Sequence, residues 1–144
     1  MKNYKSLINK SKIIRLRTLE IIYKAQKSNI GSCLSVIEIL NFIYHNYQLS
    51  GKTENAKLIL SKGQAAPAFY ATLEEYRLIK KKSADSFRQI NSKFQTHPYI
   101  NIKHNMYASG SLGQGLSFGC GIALGLKLRN KKRKVFVLVG DGEM

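Results

Sequence analysis

The run Val135-Phe136-Val137-Leu138-Val139, followed at once by Gly140-Asp141-Gly142-Glu143-Met144, decides how this chain is read. Five successive apolar residues, β-branched at three positions, predict a strand covered on both faces in a parallel sheet. Gly-Asp-Gly then stands at the carboxyl end of that strand, which is where open parallel sheets place ligands. An aspartate there can hold Mg²⁺ or Ca²⁺, because these hard cations prefer carboxylate and phosphate oxygens, and flanking glycines let the backbone come close to a phosphate. Alone, the tripeptide also makes ordinary turns.

Immediately upstream, Gly113 to Arg129 has the length of a helix yet carries Gly115, Gly119, Gly121 and Gly125. Each glycine costs about 0.5 to 1 kcal/mol of helix stability relative to alanine. Their presence predicts a buried helix that another backbone or a ligand approaches where a Cβ would collide. The element that opens it, Ser109-Gly110-Ser111-Leu112-Gly113-Gln114-Gly115-Leu116-Ser117, offers unpaired N–H groups and the positive end of a helix dipole to an anion. It is neither a Gly-x-Gly-x-x-Gly fingerprint after a strand nor a Gly-x-x-x-x-Gly-Lys-Ser/Thr phosphate loop.

Farther out, Leu58-Ile59-Leu60 reads as a short strand emptying into Ser61-Lys62-Gly63. A helix follows, with Pro67 in its first turn, an apolar face of Phe69, Tyr70, Leu73 and Tyr76, and an end at Lys80 to Lys82. Ser83 can cap a shorter helix holding Phe87 and Ile90, and Asn91 to Ser109 is a long connection containing His97-Pro98 and His104. Nearer the N-terminus, Leu7, Ile8, Ile14, Ile21, Ile22 and Ala25 form one stripe of an amphipathic helix from Tyr4 to Lys27. Gly31 interrupts the pattern. Ser35 and Glu38 have capping-box spacing and predict a second helix with Val36, Ile39, Leu40, Ile43 and Tyr47 on its buried face, closed by Ser50-Gly51. Two strands against five helices give an α/β fold, a parallel sheet flanked by helices, with residues 1–144 forming part of one domain. Such a sheet is unfinished, and further sequence after Met144 or a partner chain is expected to supply strands and cover exposed edges.

Composition bounds the function. A length of 144 residues with 44% hydrophobic and 22% charged residues suits one core and excludes a disordered, collagen-like or disulfide-stapled chain. No apolar run reaches the roughly 20 residues of a membrane span, so a cytoplasmic protein is expected. The 24 Lys and Arg against 8 Asp and Glu, net +16, favour anionic partners without choosing among nucleic acid, membrane surface and phosphorylated small molecules. The charge is spread along the chain, and the run Lys131-Lys132-Arg133-Lys134 reads as a solvated loop. Cys33 and Cys120, each among small and apolar neighbours and outside any Cys-x-x-Cys pattern, read as buried free thiols. His45, late in an amphipathic helix, receives no role.

Taken together, Ser61-Lys62-Gly63, Ala65-Ala66-Pro67-Ala68, His97-Pro98, Gly110 to Ser117 and Val137-Leu138-Val139-Gly140-Asp141-Gly142-Glu143 resemble, in order and spacing, the N-terminal part of transketolase and especially its split N-terminal subunit. The resemblance runs from about Ser11 to the last residue. It implies a thiamine-diphosphate-binding fold and transfer of a two-carbon ketol unit between sugar phosphates. It also implies that Asp141 binds the metal bridging the diphosphate, with Gly142 beside it, and that Gly110, Ser111 and Leu112 contact the cofactor. The implied partners are a C-terminal transketolase subunit or missing C-terminal sequence, and sugar phosphates, in a homo- or hetero-oligomer; neither membrane nor nucleic acid is expected.

The departures from the family pattern are equally specific. Ser28-Asn29 replaces the family's Gly-His, Gln64 replaces the histidine of Ser-Lys-Gly-His, and Met106 replaces an acidic residue before the glycine-rich loop. Amides donate hydrogen bonds to hydroxyls or phosphates but do not exchange protons near neutral pH as imidazole does. The catalytic candidates that remain are His97 and, as a hydrogen-bonding substitute, Gln64. The family's second metal ligand and its pyrimidine-activating glutamate have no counterpart here, so the isolated chain is expected to be inactive. The competing expectation is a catalytically silent remnant that binds a partner chain or a polyanion.

Overall fold

The computed structural model describes residues 4–47, 49, 56–100, 102 and 107–144. In chain order it contains α1 (Tyr4–Ala25), α2 (Ile30–Leu34), α3 (Ile37–Tyr47), β1 (Ala56–Leu60), α4 (Ala66–Glu75), α5 (Gln114–Leu128) and β2 (Lys134–Leu138), with single 3₁₀ turns at Gly63–Ala65, Ser83–Ser86 and Asp141–Glu143. The two strands pair in parallel, Ala56 opposite Lys134 through Leu60 opposite Leu138. Parallel pairing needs a crossover, and α4, the long connection and α5 supply it.

α1 and α4 pack against each other to form the centre of the core. α1 buries Ile14, Ile21 and Ile22 at helical spacing, whereas Ile8 is exposed. α4 is buried at nine of its ten residues. Small Ala66, Ala68 and Ala71 let this helix sit deep, and Phe69, Tyr70 and Leu73 fill the space around it. Tyr70 meets Phe94 edge-on at 5.2 Å between centroids, which ties the long connection to the core. Polar groups in this layer are partnered. Asn41 on α3 donates to the Leu7 carbonyl and the Ser11 hydroxyl, both at 2.8 Å, and accepts from the Tyr76 hydroxyl at 2.7 Å. Arg17 on α1 reaches both oxygens of the buried Glu74 and also bonds Asp85 and Glu20. Burial works against the Arg17 charge, but its hydrogen bonds to Glu74 and Asp85 outweigh that and raise its pKa further.

Several local expectations are corrected. Ser35 and Glu38 form no capping box: the Ser35 hydroxyl donates to the Ser32 carbonyl and accepts from Lys62, while Glu38 pairs with Arg15. Ile39, expected on the buried face, is exposed. The helix after Pro67 ends at Glu75, not at Lys80 to Lys82, because Tyr76 turns to Asn41 and Arg77 takes a left-handed backbone at φ 57°. Ser83 starts one 3₁₀ turn, after which Phe87 is buried but Ile90 is 93% exposed. α5 is not buried within this chain: only Gly115 and Gly119 are. β2 is half-buried along most of its length, so its second face lacks the cover that five apolar residues predict. Cys33 is buried as expected; Cys120, on the open side of α5, is exposed. Ser50-Gly51, His104 and Met106 lie outside the described residues.

Candidate functional site

Three chain segments meet beyond the carboxyl ends of the two strands. The last bond of the ladder runs from the Lys62 N–H to the Leu138 carbonyl at 2.9 Å, and past it the strands part into Ser61-Lys62-Gly63 and Gly140-Asp141-Gly142-Glu143. The third segment is the glycine-rich loop that enters α5. Gly115, in the first turn of that helix, lies so close to Ser61 that an added Cβ would stand 2.4 Å from the serine side chain. Gly119, one turn on, would meet Val137 at 2.3 Å and Ile59 at 3.3 Å. Two of the four helix glycines therefore let α5 lie directly on the sheet, which brings its N-terminal loop to the strand ends.

A carboxylate that the sequence alone leaves without a role joins the three segments. Glu143 accepts from the Gly140 N–H at 2.8 Å through Oε1; through Oε2 it accepts from the Gly113 N–H at 3.2 Å and from the Ser61 hydroxyl. Gly113 has φ +82°, and an added Cβ would stand 3.3 Å from the Glu143 carbonyl oxygen, so both its backbone and its surroundings call for glycine. Partial burial alone would raise the Glu143 pKa. Hydrogen bonds from Ser61, Gly140 and Gly113, with the Lys62 charge nearby, outweigh that and hold the carboxyl below the ordinary glutamate range. The acid three residues after Gly140 was a readable signal, since that spacing lets a side chain reach back to the N–H that opens a helical turn.

The residues singled out from sequence fall around this junction. Gly110, Ser111 and Leu112 are exposed on the loop, and Asp141 and Gly142 are exposed on the turn that Glu143 holds against it. Added Cβ atoms at Gly110 and Gly142 would meet nothing within 4 Å, so the backbone there is open to approach. Among the described residues the Asp141 carboxylate has no hydrogen bond or ion pair, and no group of three or more His, Cys, Asp or Glu side chains converges to hold a metal. Asp141 thus offers one free carboxylate and leaves most of an octahedral shell to other donors.

On the other side of Lys62, Gly63 lies against His97 and Ser109, where an added Cβ would be 2.3 Å from His97 Nδ1 and 2.5 Å from Ser109 Oγ. Both of these polar atoms are buried without a hydrogen-bond partner. Leaving such atoms unsatisfied is costly, and the close approach of Gly63 to both leaves no room for a side chain at that position. Gln64, next to Gly63, has an exposed side chain, while its carbonyl accepts from the Cys33 thiol at 3.6 Å. Burial pushes that thiol up to about 11, which suits a structural group and not a nucleophile. Asn29, in left-handed conformation at φ 75°, precedes α2. Ser109 and Ser61 give no local sign of a role, because their significance lies in contacts across 46 and 82 positions that no short spacing reveals.

The basic run Lys131 to Lys134 is exposed, with Lys131 to Arg133 in the connection after α5 and Lys134 opening β2. No described helix is long and apolar enough to cross a membrane.

Comparison with known proteins shows the family. The family described as "Transketolase, thiamine diphosphate binding domain" matches residues 6–144. A subunit of the apulose-4-phosphate transketolase of Phocaeicola vulgatus is 34% identical over 134 residues, covering 90% of this chain and 48% of its own length. Human transketolase is 31% identical over 137 residues, and human transketolase-like protein 2 is 31% identical over 136; these matches cover 91% and 90% of this chain, and each covers 22% of the relative. The chain therefore spans about half the length of one relative and about a fifth of the others. With a parallel sheet, a glycine-rich loop and a Gly-Asp-Gly turn meeting at the strand ends, and a family match over residues 6–144, this chain belongs to the transketolase thiamine diphosphate-binding family.

Proposed function

We propose that this chain forms the diphosphate side of a thiamine diphosphate site in a transketolase-type enzyme, one that transfers a two-carbon ketol unit between sugar phosphates. The observation that carries the reading is the junction itself: the open backbone at Gly110 and Gly142 and the unpaired Asp141 carboxylate lie on two segments that Glu143 links. Gly110, Ser111 and Leu112 would contact the cofactor, and Asp141, with Gly142 beside it, would bind the Mg²⁺ or Ca²⁺ that neutralises the diphosphate. The cofactor, when bound, supplies a stabilised carbanion at its thiazolium ring. This chain's residues would hold and orient it, which is where a protein contributes most to such chemistry.

His97 and Gln64 would face the substrate side of the same junction. His97 would take or give a proton at a sugar hydroxyl, and Gln64 would donate hydrogen bonds without exchanging protons. A single protein carboxylate and a half-covered sheet call for more chain. We infer that this is part of one domain, completed by further C-terminal sequence or by a C-terminal transketolase subunit; the resemblance to one subunit of the apulose-4-phosphate transketolase supports that reading. Two free thiols fit the reducing cytoplasm.

Calorimetry tests the assignment. Thiamine diphosphate with Mg²⁺ should bind the chain once it is complemented by the C-terminal part, and Asp141→Ala should weaken that binding at least about a hundredfold, the effect of removing a charged metal ligand. Unchanged affinity in the variant would reject the reading. A silent polyanion-binding remnant would instead show steeply salt-dependent binding to nucleic acid and no ketol transfer after complementation.

A further inference from the structure

Ser61, Gly113 and Gly140 belong to three segments that are remote in sequence, and each places one donor on the same side chain. The ladder bonds stop at Lys62 and Leu138, so beyond that point no main-chain pairing among the described residues fixes how far the Gly140 turn stands from the loop at Gly113. Glu143 takes over there. One of its oxygens holds the turn's own N–H, and the other holds the N–H at the entrance to α5 together with the hydroxyl that follows β1. A carboxylate has enough lone pairs to accept all three bonds at once, and donors attached to an ionised acceptor are held more firmly than in neutral pairs. The Gly113 N–H precedes α5 and has no helical partner of its own to fall back on.

We propose that Glu143 is a positioning residue for cofactor binding: by tying the Gly140 turn, the α5 entrance and the end of β1 to one carboxylate, it sets the separation between Asp141 and the Gly110–Leu112 loop. The inference rests on the proposed thiamine diphosphate site and adds to it a residue that touches neither the metal nor the diphosphate. Asp141 lies two residues before Glu143 on the same short turn, so a turn released from Gly113 would carry its metal-binding carboxylate away from the loop. Preorganisation of this kind acts on binding, since an untied turn must be ordered when the ligand arrives.

Glu143→Gln keeps the size of the side chain and one acceptor oxygen. It replaces the other oxygen with an NH₂ group that cannot accept from an N–H, so Gly140 and Gly113 cannot both remain bonded. In the full chain without ligand, amide exchange followed by NMR should quicken about tenfold at Gly113, Gly140 or both, while amides in α1 and α4 keep their protection. Ser61→Ala, which removes one donor and leaves both N–H bonds, should leave the two amides within about twofold of the parent. In the complemented protein, Glu143→Gln should weaken binding of thiamine diphosphate with Mg²⁺ about tenfold or more, with the core amides unchanged. Unaltered exchange at both glycines, or unaltered affinity in Glu143→Gln alongside lost binding in Asp141→Ala, overturns the inference alone. Unaltered affinity in Asp141→Ala overturns the underlying site assignment instead.

Discussion

α4 and α5 lie on the same two-stranded sheet's crossover, yet they are built on opposite terms. α4 buries nine of ten residues among α1, α3 and the long connection, and its polar members are paired. α5 buries two of fifteen, both of them glycines pressed against the sheet, and leaves Leu116, Leu124 and Leu128 exposed. Ion pairs follow the same division. Among the described residues each ion pair has its cation on α1, whereas the bases from Lys127 to Lys134 pair with no described acid. The difference teaches that this chain carries a densely packed core around α1 and α4 and, next to it, a half that is tied down mainly where the candidate site needs it. α5 touches the sheet through Gly115 and Gly119, and its loop touches the Gly-Asp-Gly turn through Glu143.

The largest effect should come from truncating the dense half. Phe69→Ala removes a side chain that is 1% exposed and leaves a cavity between α4 and its neighbours. It should cost about 3 to 5 kcal/mol, a large part of a domain's stability. Leu124→Ala on α5, where the parent side chain is 58% exposed, should change stability by less than about 0.5 kcal/mol. Urea unfolding of the two variants measures both. Similar losses would mean that α5 is packed far more tightly than its exposure indicates.

Glycine substitutions sharpen the comparison within one helix. Gly119→Ala would drive a methyl group into Val137, whose Cγ2 stands 2.3 Å from the new Cβ, and should cost about 1 to 3 kcal/mol. Gly121→Ala meets nothing within 4 Å and should stabilise by about 0.5 to 1 kcal/mol, through helix propensity and a less flexible unfolded chain. The opposite signs are the expected result, read from denaturation midpoints. Loss of stability in Gly121→Ala would show that a surface covers this face in solution.

What could be read from sequence divides along physical lines. Val135 to Val139 announced a strand and Leu58 to Leu60 a shorter one, because both signals depend on neighbours along the chain; that the two pair directly, and that the second strand ends at Leu138, only the fold reveals. The glycine-rich loop and the Gly-Asp-Gly turn were legible as a pair, and their adjacency follows from the way parallel sheets gather loops at the carboxyl ends of their strands. Burial of α5 was not legible. Its apolar composition says that the helix prefers cover but cannot say whether these residues provide it, and glycines at 115 and 119 proved close-packed while those at 121 and 125 did not. The Ser35–Glu38 spacing failed because Arg15 and Lys62, remote in sequence, claim the two side chains. Tyr76 ended α4 early for the same reason, through a bond to Asn41. Glu143 stood in plain sight, but two of its three donors arrive from Ser61 and Gly113, and only the folded chain reveals them.

The smallest expected effect lies at the rim of the dense half, where Asp85 joins Lys24 and Arg17 at 2.6 Å each. Some burial opposes its charge, but hydrogen bonds from Lys24 and Arg17 and their positive fields prevail, so its folded pKa lies below the unfolded value. Glu74 and Glu20 also pair with Arg17 and so compete with Asp85 for its charge. For a carboxyl with a depressed folded pKa the stabilisation is present above the unfolded value, near pH 4, and is lost as pH falls through the folded one. Asp85→Asn should therefore lower stability by about 0.5 to 1 kcal/mol at pH 7, the range for a largely solvent-screened pair. The parent and the variant should converge in strong acid, once pH has fallen below the depressed folded value and the carboxyl is protonated in both folded and unfolded chains. Denaturation midpoints at the two pH values decide the matter: a gap that persists in acid would assign the Asp85 effect to shape or hydrogen bonding and remove this ion pair from the forces that distinguish the α1–α4 half.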